Sequence, residues 1–134
     1  MGKLMIDQYG NYFCQKLLHN VSSEQRLKIL RALQKDFVTV SCDEVGTHPM
    51  QRLIEMINLD EERECVFHAI KGDIVNMAFH HKGNYVLLLT LQALRGEQLS
   101  YVIDHLLDQV YPLALDQYGI CIVNKIIQLS EKEE

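Results

Sequence analysis

The chain has 134 residues, of which 48% are hydrophobic and 23% are charged, as is usual for a globular domain. Its net charge of −5 argues against nucleic-acid binding driven by charge alone. No apolar run approaches the ~20 residues of a membrane-spanning helix. The four cysteines lack zinc-binding or redox spacing, which favours a reduced compartment. We therefore expect a cytoplasmic protein.

The chain repeats itself around four glycines. They stand at positions 10, 46, 83 and 119, so that successive copies are 36, 37 and 36 residues apart. The first copy reads DQYGNYFCQKLL from Asp7 to Leu18, and the fourth begins DQYG at Asp116. A fixed period of this size is typical of a solenoid. We expect one array with boundaries at 1–34, 35–72, 73–108 and 109–134.

The fold class predicted from this period is all-α, with at least nine helices. Segment 36–42 is rich in β-branched residues and would pass for a strand, but its repeat equivalent 74–79 favours a helix, and we follow the repeat. Asp60 is expected to be an N-cap, and Gly72 a left-handed C-cap. In chain order, helices are predicted over 7–20, 22–34, 36–42, from 47, 60–72, 74–79, 83–94, 97–107, 109–115 and from 119.

The helix that begins at each repeated glycine, here called the glycine helix, has two distinct faces. At 100° per residue, one face is apolar in nearly every copy and is predicted to lie in the core. In the first copy it consists of Phe13, Cys14, Leu17 and Leu18. The other face carries a triplet at the first, second and fifth positions after the glycine. The four triplets are Asn11/Tyr12/Gln15, Thr47/His48/Gln51, Asn84/Tyr85/Leu88 and Ile120/Cys121/Asn124.

These repeats resemble the Pumilio (PUF) family, most specifically in the string from Asp7 to Leu18. The resemblance implies three-helix repeats stacked into a curved right-handed solenoid. It also implies that each glycine helix reads one base of a single-stranded RNA. The first and third triplet residues would grip the base edge, and the second would stack between bases. The implied partner is the 3′ untranslated region of an mRNA, and the implied role is post-transcriptional control of its stability or translation.

The family's pairing of triplets with bases implies different selectivity along the array. Asn11 with Gln15 implies uracil, and Thr47 with Gln51 implies adenine. Leu88 can neither donate nor accept a hydrogen bond, so the third repeat should discriminate poorly. The fourth triplet has no aromatic residue and departs furthest. Because arrays of this family run antiparallel to RNA, the expected site is 5′-N-N-A-U-3′.

Four basic residues near the triplets are candidates for phosphate contacts. Lys16, Arg52 and Lys125 directly follow the third triplet residue, and Lys82 precedes Gly83. A locally basic face on an acidic body would suit RNA. The alternative is that these side chains are solvated helix residues.

The sequence contains no pattern that indicates catalysis or a cofactor. His80 and His81 are adjacent, and adjacent residues on a helix point about 100° apart, which makes a poor metal pair. We therefore expect no metal, no cofactor and no enzymatic activity. The rival to RNA binding is a divergent solenoid that acts as a protein-interaction scaffold, which Leu88, Ile120 and the acidic charge favour.

The ends of the array imply a further expectation about assembly. Leu4, Met5 and Ile6 align with the end of segment 36–42, so the first repeat begins within a unit. Either the sequence starts inside a longer protein or the array is naturally short. Terminal repeats normally carry a polar outer face. We therefore expect apolar surface at both ends and self-association through them, with other protein partners on the convex face.

Overall fold

In a computed structural model, which describes residues 1–133, the chain folds into eleven α-helices, and that part of the chain contains no strand. The helices are α1 (Gly2–Met5), α2 (Gly10–Asn20), α3 (Ser23–Leu33), α4 (Phe37–Ser41), α5 (Thr47–Met56), α6 (Asp60–Ile70), α7 (Ile74–Phe79), α8 (Gly83–Ala93), α9 (Gly96–Leu107), α10 (Val110–Ala114) and α11 (Gly119–Glu133). None of them is long and apolar enough to cross a membrane.

The helices repeat in groups of three. Each glycine helix follows a short helix of four to six residues (α1, α4, α7 or α10), and the first three are followed by a longer helix (α3, α6 or α9). The glycine helices pack in chain order, α2 on α5, α5 on α8 and α8 on α11. In the same way α3 packs on α6. The predicted all-α architecture of stacked repeats is therefore confirmed.

Segment 36–42 forms helix α4, as its repeat equivalence predicted. Phe37 is 1% exposed and Val40 is 3% exposed, so burial against neighbouring helices outweighs the strand preference of β-branched residues. Inside this helix the Ser41 hydroxyl donates to the Phe37 carbonyl at 2.7 Å. The packing of the repeat, not local propensity, thus decides the conformation.

Two predicted helix ends are wrong. Asp60 is the first residue of α6 and the cap position falls on Leu59, whose side chain makes no cap hydrogen bond. The Leu59 N–H instead donates to the Glu62 carboxylate at 3.2 Å. Gly72 does not adopt the left-handed region, and the cap residue before it, Lys71, has right-handed helical geometry. Within the described residues, positive φ occurs at Gly96 alone.

The apolar face of the glycine helices lies in the core, with exceptions at the two ends of the array. Cys14 and Leu18 in α2 are buried, as are their equivalents in α5 and α8. Phe13 is 55% exposed and Ile127 is 52% exposed. Both belong to glycine helices that contact a neighbouring glycine helix on one side only, and Leu115 beside the last of them is 80% exposed. The expected apolar surface is present at both ends, and self-association stays a prediction.

A buried ion pair joins the third helices of the first two repeats. The Arg26 guanidinium donates to both carboxylate oxygens of Glu62, at 2.6 Å and 2.9 Å, and also to Asn58 at 3.0 Å. Both charged side chains are almost completely buried. Because each charge compensates the other and the geometry is bidentate, the pair fixes how α3 lies on α6.

The repeated glycines allow neighbouring chain segments to approach closely. A Cβ added at Gly46 would lie 2.8 Å from the Val40 carbonyl oxygen and 3.0 Å from Ile6 of the preceding repeat. A Cβ added at Gly83 would lie 2.7 Å from Cys42, again in the preceding repeat. At these two positions only glycine leaves room for the close packing of one repeat on the next.

Replacing Gly46 with alanine should destabilise the protein by about 2 kcal/mol, because the new methyl group meets backbone that cannot move away. Gly72→Ala is the matched control, since nothing lies within 4 Å of its added Cβ. Urea unfolding followed by circular dichroism measures both. Equal stability of the two variants would contradict the role assigned to Gly46.

Candidate nucleic-acid interface

One side chain organises the start of each glycine helix. Oδ2 of Asp7 accepts the N–H groups of the second and third residues after it, at 2.9 Å and 2.6 Å. Asp43 and Asp116 make the same two bonds at 2.8–2.9 Å. In the third repeat Nδ1 of His80 takes this place, at 3.0 Å and 3.1 Å. These bonds satisfy N–H groups that a helix start leaves without a partner. In the first repeat the bonds from Gly10 and Tyr9 stabilise the carboxylate and so lower the pKa of Asp7.

The first triplet residue of repeats one to three is buried beneath the surface. Asn11 is 4% exposed, Thr47 is 0% exposed and Asn84 is 1% exposed. The Asn11 amide donates to the carbonyls of Asp7 at 2.9 Å and Gln8 at 2.8 Å. The Asn84 amide donates to the His80 carbonyl at 2.7 Å. Both asparagines are therefore anchored to the loop that precedes their own helix.

In two repeats the third triplet residue donates a hydrogen bond to the first. Nε2 of Gln15 donates to Oδ1 of Asn11 at 3.2 Å, and Nε2 of Gln51 donates to the Thr47 hydroxyl at 3.1 Å. Each glutamine keeps one N–H and its carbonyl oxygen for a ligand, which is the donor-acceptor pair that a base edge requires. Since both glutamines offer the same pair, the residue behind them is what distinguishes the two repeats.

The second triplet residue is on the surface in every repeat. Tyr12 is 65% exposed, Tyr85 is 46% exposed, and His48 and Cys121 are exposed. Three of the four positions thus present a ring to solvent, where a planar base can stack.

Two clefts lie between neighbouring glycine helices on this face. The first, between α2 and α5, measures about 360 Å³, and the second, between α8 and α11, about 350 Å³. The first is lined by Asn11, Tyr12, Gln15, His48, Gln51, Arg52 and Glu55. The second is lined by Leu88, Leu89, Gln92, Cys121, Asn124, Lys125 and Gln128. The other triplet residues, Thr47, Asn84, Tyr85 and the half-buried Ile120, line neither cleft.

The first cleft brings together Asn11, Tyr12 and Gln15 with His48 and Gln51 of the second triplet. Thr47 is buried and does not line it. The second contains only the later members of the third and fourth triplets, and Leu88 stands in it where Gln15 and Gln51 stand in the first. The structure thus separates a polar, ring-lined cleft from a more apolar one.

Three of the four candidate phosphate contacts already have partners. Arg52 pairs with Glu55 at 3.3 Å, and Lys82 lies 3.6 Å from Glu44. Lys125 donates to Gln92 at 3.3 Å, and Lys16 is exposed.

Glu55 was not among the residues selected from the sequence. It stands four residues after Gln51, which places it one turn along the same face, and this spacing was the available signal.

Within residues 1–133 no group of three His, Cys, Asp or Glu side chains could hold a metal ion. The surface that carries the triplets offers rings, amides and basic groups. Such groups are the usual means by which proteins contact single-stranded nucleic acid.

The family model of the Pumilio-family RNA binding repeat matches residues 1–33, 36–71 and 109–134, more than half of the chain. The chain belongs to the Pumilio family. Pumilio homolog 12 of Arabidopsis thaliana is 30% identical to it over 137 residues, covering 100% of this chain and 23% of that protein. The chain thus spans about a quarter of the length of this relative.

Solved structures confirm the fold as a PUF-type right-handed α-solenoid. The Puf4 RNA binding domain, bound to an HO endonuclease RNA 3′ UTR recognition sequence, has a TM-score of 0.89 with 32% identity. It covers 95% of this chain, which spans 39% of that domain. PUF-8 in complex with PBE-RNA has a TM-score of 0.86 at 21% identity, and this likeness concerns the fold alone.

Proposed function

We propose that this Pumilio-family chain binds single-stranded RNA selectively, one base per repeat, and serves post-transcriptional control of mRNA stability or translation. The observation that carries the proposal is the first cleft. There the amides of Asn11, Gln15 and Gln51 and the rings of Tyr12 and His48 line one groove of a size that suits a small ligand. The proposed setting is the cytoplasm, and the proposed activity is binding without catalysis.

Relatives of known structure support this proposal. The Puf4 domain, 32% identical to this chain, was solved with a 3′ UTR recognition sequence bound. By analogy, the mRNA 3′ untranslated region is the proposed partner here. Protein partners on the convex face and self-association through the apolar ends are further proposals.

The twelve triplet residues are the proposed base contacts, with unequal roles. In repeats one and two Gln15 and Gln51 face the base edge, backed by Asn11 and Thr47 respectively. In repeat three Asn84 is tied to the loop and Leu88 offers no hydrogen bond, so base selection there is weak. In repeat four Ile120, Cys121 and Asn124 provide one amide and no ring. Lys16, Arg52, Lys82 and Lys125 are the proposed phosphate contacts.

The affinity of this chain for a four-base site should be modest. Each stacked base contributes roughly 1–3 kcal/mol, and three repeats offer a ring. Association costs at least about 4 kcal/mol before net affinity appears. With edge hydrogen bonds added to the stacking, a dissociation constant on the order of tens of micromolar or weaker is expected.

The combined change Asn11→Ser and Gln15→Glu should shift preference from U to G at the 3′ position of 5′-N-N-A-U-3′. The glutamate accepts from the guanine N1–H and amino groups, where the glutamine favoured uracil. Fluorescence anisotropy with four labelled RNAs that differ only in the 3′ base measures the preference. The control is a second set of four RNAs that differ only at the adenine position. The base preference at that position should be the same in the parent chain and the double variant.

An unchanged 3′ preference in a folded double variant would refute base reading by the first repeat. The protein-scaffold function would then take its place.

Tyr12→Ala should weaken binding to all these RNAs by a similar factor, about 5- to 100-fold, because stacking does not depend on base identity. Tyr9→Ala is the matched control: Tyr9 is 79% exposed and precedes Gly10, outside the triplet. The same anisotropy titrations give both values. Equal effects of the two substitutions would contradict a stacking role for Tyr12.

Glu55→Gln should strengthen RNA binding by up to about fivefold, because it removes the partner of Arg52 and a negative charge from the first cleft. The affinity should also fall more steeply with added salt, since one more cation can reach phosphate. Glu61→Gln changes the same charge on the exposed start of α6 and is the control. Equal salt slopes for the Glu55 variant and the parent chain would contradict the proposal.

A further inference from the structure

We propose that His80 is a positioning residue that holds the triplets of two repeats through its neutral imidazole, so that acid loosens this part of the RNA-binding face. The effect on RNA rests on the proposed function. The effect on the protein itself does not.

His80 replaces the aspartate found in the other three repeats. The Oδ2 atoms of Asp7, Asp43 and Asp116 and the Nδ1 atom of His80 stand equally far along their side chains. Each accepts two backbone N–H bonds at the start of a glycine helix. A carboxylate keeps this acceptor down to low pH, whereas Nδ1 accepts only while the ring is neutral. The third repeat alone therefore has a cap that protonation of the ring abolishes.

The loop that His80 caps contacts both neighbouring triplets. The His80 carbonyl accepts from the buried Asn84 amide at 2.7 Å, which fixes the first triplet residue of its own repeat. The carbonyl of Lys82, whose N–H is held by His80, faces the Thr47 hydroxyl of the preceding repeat at 3.4 Å. Thr47 in turn accepts from Gln51. Loss of the cap would thus disturb the first triplet residue of repeat three and the edge-reading pair of repeat two.

The groups that face His80 from neighbouring segments are few. The His81 ring stacks on it with centroids 4.6 Å apart and 24° between planes. His81 bonds Glu44 at 2.5 Å, Lys82 lies 3.6 Å from the same carboxylate, and the Tyr118 ring is 6.4 Å from His81. Cys42 packs beside Gly83, and burial raises its thiol pKa, so it adds no charge at neutral pH.

The balance of these groups favours the neutral form. Burial first, and then the neighbouring His81, lower the pKa of His80 below its ordinary value, while Glu44 acts in the opposite direction. A histidine with a lowered pKa binds its proton less readily in the folded chain than in the unfolded chain. The contribution of the cap to stability is therefore complete above about pH 6.5 and is lost as the pH falls through the lower, folded-state pKa.

The test compares the parent chain with His80→Asp and His80→Asn, which both keep an oxygen acceptor in place of the imidazole. Thermal unfolding is measured from pH 7.5 to 5.5. The parent's melting temperature should fall by about 3 °C more than that of either variant, as loss of a cap predicts. His81→Gln, which retains the cap, should keep the parent's acid sensitivity. Two variants are used because one of the two new side chains alone could fit the site poorly.

Nuclear magnetic resonance supplies a readout that a merely structural role would not affect. In the parent chain, the side-chain amide signals of Asn84 should shift with the titration of the His80 ring, below its ordinary pKa. In His80→Asp these amide signals should remain constant over the same range. Equal acid sensitivity of the parent and both variants, or a His80 titration above its ordinary value, would overturn the proposal.

Binding of labelled 5′-UUAU-3′ separates this inference from the proposed function. The parent should lose affinity between pH 7.5 and 5.5 by about fivefold more than His80→Asp, and His48, present in both proteins, cancels from the comparison. If the parent binds no RNA at any pH while its acid sensitivity disappears in His80→Asp, the proposed RNA function fails and the role of His80 stands. Equal losses of affinity would overturn its effect on the RNA-binding face.

Discussion

Two backbone N–H bonds to one side chain set the start of each glycine helix, and the rest of the binding face depends on them. The acceptor, Asp7 in the first repeat, fixes the loop whose carbonyls anchor Asn11. Asn11 then orients Gln15. The adjoining glycine lets the preceding helix approach so closely that this loop has little freedom to move. The amides of Asn11 and Gln15 are therefore ordered before any ligand arrives, which would reduce the side-chain entropy cost of the proposed RNA binding.

Electrostatics on the same face oppose simple attraction of RNA. Arg52 and Lys82 each lie near a carboxylate, so neither is a fully available positive charge. On a chain with a net charge of −5, this pairing limits non-specific attachment to any polyanion. In the proposed function, discrimination would then depend on short-range contacts at the triplets, where stacking and edge hydrogen bonds act only on a base that is already bound. The proposed interface would be weak and selective.

The repeat period predicted the fold because the same glycine and the same apolar positions recur in phase. That periodicity was enough to assign segment 36–42 to a helix against its strand-like composition. It could not predict that Asn11 and Thr47 are buried, because burial depends on the loop carbonyls and on the next repeat. Glu55 and the acceptor role of His80 were missed for a similar reason. Both depend on which atom of a side chain meets which partner, and sequence spacing contains no such information.

The ion pair between Arg26 and Glu62, together with the contacts between successive glycine helices, has a consequence for how the chain folds. The contacts between repeats join each repeat to its immediate neighbours, and so they connect segments about one period apart. Chains of this kind can nucleate in any pair of adjacent repeats and extend outward, without first closing a long loop. The first two repeats, tied by a buried charge pair, form a natural nucleus. Amide hydrogens at the outer ends of the array would then exchange with solvent sooner than those at its centre.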